Sequence, residues 1–119
     1  MNPYLKAIEI ITTKGFAKES YEDDESGGFC MIGAVAGAVG TSPTSYHMNS
    51  RSGGVNLLTP LRPLIASLFP DRVPTEENKY TGSPADGIPY FNDMEETTKQ
   101  DVIYVLAVAA ANYQEAEDN

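Results

Sequence analysis

Residues Phe29 to Gly40 read FCMIGAVAGAVG, an uncharged run with the chain's only cysteine, Cys30, and glycines at Gly33, Gly37 and Gly40. The pattern predicts a helix over about 29–39 that is apolar on every side, and such a helix belongs at the centre of a bundle. Each glycine inside a helix costs about 1 kcal/mol relative to alanine, so two interior glycines need a compensating gain. Gly33 and Gly37 lie four apart on one face with Ala36 and Gly40 nearby, which predicts a smooth groove where a second helix packs closely. No Gly-Lys-Ser/Thr sequence follows the glycines and no strand pattern precedes them, so this is no phosphate loop.

Before this stretch, Asn2-Pro3 reads as a helix start, a side-chain cap followed by proline at the first helical position. Tyr4, Ala7, Ile8 and Ile11 recur at helical spacing. Lys14 suits the negative end of the helix dipole and Gly15 terminates it, giving a helix over 3–14. Residues 16–28 form a charged connector containing Glu22, Asp23, Asp24 and Glu25. That cluster lacks the alternating ligands and distal glutamate of a calcium loop. It reads as a solvated loop with a secondary capacity to bind a basic surface.

After it, residues 41–55 are rich in Ser, Gly, Pro and Asn and carry Tyr46, the only histidine His47, and Arg51. A polar loop of this size is a candidate binding segment. Leu61, Leu64, Ile65 and Leu68 form the apolar stripe of a third helix over 60–69, capped by Thr59 and begun by Pro60. Residues 70–90 hold prolines and little periodicity and read as one long loop, with Ile88, Tyr90 and Phe91 returning to the core. A fourth helix over 99–115 is opened by a capping box, Thr97 with Gln100 or Thr98 with Asp101. Its acidic end, 116–119, frays. The expected fold is all-α: one four-helix domain over 1–119 with long irregular loops, and no strand pattern stands out.

Seventeen acidic residues against eight basic ones leave a net charge of −9 in 119 residues. That balance opposes binding to nucleic-acid phosphates or an anionic membrane and suits a protein partner with a basic surface. A single cysteine excludes an internal disulfide and a multi-cysteine zinc site, and no cofactor or metal is expected. Lys6, Glu9 and Lys14 interrupt the first residues, so no secretory leader is read and the chain is expected in the cytoplasm.

Cys30-Met31-Ile32-Gly33-Ala34 opening a helix, then Phe91-Asn92-Asp93, and Thr98, Asp101, Val102 and Leu106 in a closing helix, resemble an uncharacterised family of small proteins of actinobacteria and their phages. The resemblance implies a phage or actinobacterial origin and brings no activity, cofactor or partner with it. Two function classes follow. In the favoured one, the chain is a non-enzymatic interaction protein, an acidic phage factor that binds or inhibits a host protein. Cys30 is then a core residue, and Asn92 and Asp93 satisfy backbone groups in the turn entering the last helix. In the alternative, Cys30 is a helix-N-terminal nucleophile working with His47 and Asp93 or Asn92 as a hydrolase or transferase.

Overall fold

The computed structural model describes residues 2–18, 26–40, 51–52, 55–57, 60–72 and 87–113. Five α-helices fall within them: α1 (Pro3–Lys14), α2 (Met31–Ala38), α3 (Leu61–Leu68), α4 (Gly87–Asp93) and α5 (Lys99–Asn112). The all-α expectation holds, and the described residues alone carry one helix more than the four expected. α4 has only seven residues and begins Gly-Ile-Pro, too short for a periodic signal and with a proline that only a first turn accepts. The described residues also contain a minimal antiparallel pairing, β1 (Arg51–Ser52) with β2 (Val55–Asn56). A 3-10 turn, Pro70–Arg72, follows α3.

α1 forms as read. The Asn2 side chain accepts the Tyr4 N–H at 3.1 Å and donates to the Ala110 carbonyl at 2.9 Å, so one residue caps α1 and ties it to the last turn of α5. At the other end Gly15 has φ 104°, a backbone region that glycine alone enters without strain. From there the chain makes a parallel bridge, Phe16 with Phe29, sealed by Phe29 N–H to Gly15 O at 2.9 Å and Ala17 N–H to Phe29 O at 3.0 Å. A Cβ on Gly28 would sit 3.2 Å from the Gly15 and Phe16 backbones. Glycine is therefore what lets the strands of this bridge touch.

Seven of the eight residues of α2 are buried, which places it in the core as the sequence required. Its close neighbours are α1 and α4, while α5 packs on α1 and α3. Gly33 is buried. Gly37 is exposed, and a Cβ there would meet only the tips of Ile10 and Phe29 at 3.4 and 3.8 Å. The expected Gly33/Gly37 packing face is thus corrected: only its Gly33 end faces the interior. Ile11, Met31, Val35, Leu57, Leu61, Ile65, Ile88, Phe91, Val102, Val105 and Leu106 form the fully buried core.

The helix starts sort the remaining expectations. Thr98, not Thr97, builds the capping box, its hydroxyl accepting the Asp101 N–H while the Asp101 carboxylate accepts the Thr98 N–H. α3 has no side-chain cap, and Pro60 sits at the capping position rather than inside the helix; Thr59 lies outside the described residues. α5 ends at Asn112, short of the expected 115.

Candidate functional site

Cys30 and Asn92, sixty-two residues apart in the chain, meet at the N-terminus of α2. Cys30 is the cap of that helix, and its Sγ accepts the Gly33 N–H at 3.3 Å. Asn92, only 2% exposed, reaches over from α4. Its Oδ1 accepts the Met31 N–H at 3.0 Å, and its Nδ2 donates to the Ala17 carbonyl at 3.2 Å and to Asp93 Oδ1 at 2.9 Å. A helix begins with N–H groups that have no partner inside it; here the adjacent Cys30 thiol and the distant Asn92 amide oxygen each accept one of them. Asn92 had been expected to serve the turn before the last helix. It serves α2 instead, because the short α4 carries it there.

The geometry buries the thiol. Cys30 is 7% exposed. Burial pushes its pKa up, the backbone N–H groups of Gly33 and Ile32 pull it down by less, and Asp93 raises it further. Among the described residues no cation acts on it, whereas activated cysteines sit beside a positive group or in an electropositive pocket. Of the alternative catalytic set, Cys30, Asn92 and Asp93 come together, and His47 lies outside the described residues. Tyr46 and the acidic cluster Glu22, Asp23, Asp24 and Glu25 lie outside them as well. Arg51 is placed only as backbone in β1. Among the described residues no group of three His, Cys, Asp or Glu side chains has the arrangement to hold a metal ion, and no helix is long and apolar enough to cross a membrane.

A second feature had no counterpart in the sequence reading. An open cleft of about 390 Å³ lies where the N-termini of α1 and α3 meet the C-terminus of α5, lined by Tyr4, Pro60, Pro63, Leu64, Ala109, Asn112 and Tyr113. Its size falls within the roughly 300–1,000 Å³ usual for ligand pockets, and its lining is predominantly apolar, as theirs is. The Tyr4 and Tyr113 rings meet edge to face at 5.8 Å. The Tyr4 hydroxyl donates to the Leu57 carbonyl at 2.6 Å, and burial together with the neighbouring Tyr113 holds its pKa well above the usual phenol value. Tyr4 is thereby a rigid wall. The signal available in sequence was faint: prolines at 60 and 63 and tyrosines at 4 and 113 are local to three different helices, and only the packing joins them.

On the far side of α5 a polar brace faces the opposite end of the fold. Arg72 Nη1 lies 2.7 Å from Asp101 Oδ2, donates to Thr97 Oγ1 at 3.3 Å and sits over the Phe69 ring at 4.8 Å. The brace ties the turn after α3 to the start of α5.

No curated protein and no solved structure matches the chain. One family model does, over residues 4–112, a span that runs from the first turn of α1 to the last residue of α5. The chain belongs to the Family of unknown function (DUF6197).

Proposed function

We propose that the chain is a non-enzymatic protein-binding module, and that it works as an acidic factor, phage- or actinobacterium-encoded, which binds or inhibits a host protein in the cytoplasm. The observation that carries this reading is the Tyr4–Leu64–Tyr113 cleft, an open apolar surface feature on a chain that is otherwise strongly charged. Binding surfaces concentrate their energy in such places, where an anchoring side chain is desolvated in a pocket. The net charge of −9 adds steering toward a basic surface. The hydrolase or transferase alternative gains no support from Cys30, whose thiol is buried and accepts a backbone N–H.

Affinity capture with the tagged chain from an actinobacterial lysate, run beside Leu64→Gln, tests the reading. Leu64 is only half-buried, so the variant alters the cleft wall with little demand on the core. A protein retained by the wild type and lost with Leu64→Gln is the expected result. Capture indifferent to Leu64→Gln removes the cleft from the account, and turnover of an ester or peptide that disappears in Cys30→Ala replaces binding with catalysis.

A further inference from the structure

We draw no further inference here: the strongest candidate, the open apolar cleft where the N-termini of α1 and α3 meet the C-terminus of α5, belongs to the site already described, and nothing among the described residues shows what covers it.

Discussion

Two residues hold the α2 terminus, and they are unequal. Asn92 satisfies one buried N–H and one buried carbonyl at once. Asn92→Ala strands both, at about 1–3 kcal/mol for each group left unpaired, so a loss of several kcal/mol in urea unfolding is expected. Asn92→Asp keeps the acceptor but removes the donor and sets a charge beside Asp93; it should also destabilise strongly. A variant that unfolds at the wild-type midpoint would show that water replaces Asn92 freely. Cys30 does lighter work. A thiol is a weak acceptor, and serine is a preferred cap. Cys30→Ser should therefore leave stability within about 1 kcal/mol, while Cys30→Ala loses about 0.5–2 kcal/mol. The native thiol should react with a soluble alkylating reagent slowly, and faster in mild denaturant. Native labelling faster than that of a free thiol of pKa about 8.5 would reopen the nucleophile reading.

Among the elements, the glycines of α2 divide. Gly33 is buried, and Gly33→Leu should overpack the core by about 1–3 kcal/mol. Gly37 is exposed with room for a methyl, so Gly37→Ala should raise stability by up to about 1 kcal/mol through helix propensity; a loss would mean that Ile10 cannot yield. This split also shows what was legible. Helix-forming signals that are local came through: the Asn2-Pro3 start, the Gly15 stop, the Thr98/Asp101 box and the apolar run of α2. Signals that depend on a partner far along the chain did not. Whether Gly37 faces α1 or water, why Gly28 must be glycine, and that Asn92 caps a helix sixty-one residues away are set by packing. The cleft is the same case, a void between three helix ends. The brace on α5 adds a pH test. Burial raises the Asp101 pKa, but the Arg72 hydrogen bond and charge and the Thr98 bonds outweigh it, and the net shift is downward. A carboxylate depressed in the folded state stabilises fully above its unfolded value, about 3.9, and the contribution disappears as pH falls through the lower folded value. Asp101→Asn should thus flatten the acid limb of the stability curve below the unfolded carboxylate value of about 3.9. An unchanged acid limb would mean that the exposed part of the pair lets solvent screen it.

For the whole molecule, charge and packing act in opposite directions. A core of fully buried aliphatic and aromatic side chains runs through α1 to α5, while seventeen acidic residues repel one another across a small surface. Such self-repulsion weakens the compact state and, toward a basic partner, speeds encounter. Both effects travel through solvent, and both are cut by salt: the Debye length falls from about 30 Å at 0.01 M to about 8 Å at physiological ionic strength. Two signs follow from the one cause. Raising salt over this range should stabilise the isolated chain against urea, and should slow association with a cationic partner while changing dissociation little, because steering acts on encounter and the seated apolar anchor acts on release. Stopped-flow association measured beside urea melts at matched salts separates them. If association ignores salt while stability rises with it, the charge is a solubility device and the cleft alone selects the partner. If dissociation carries the salt dependence, charged groups stay paired in the bound state and contribute to affinity as well as to rate.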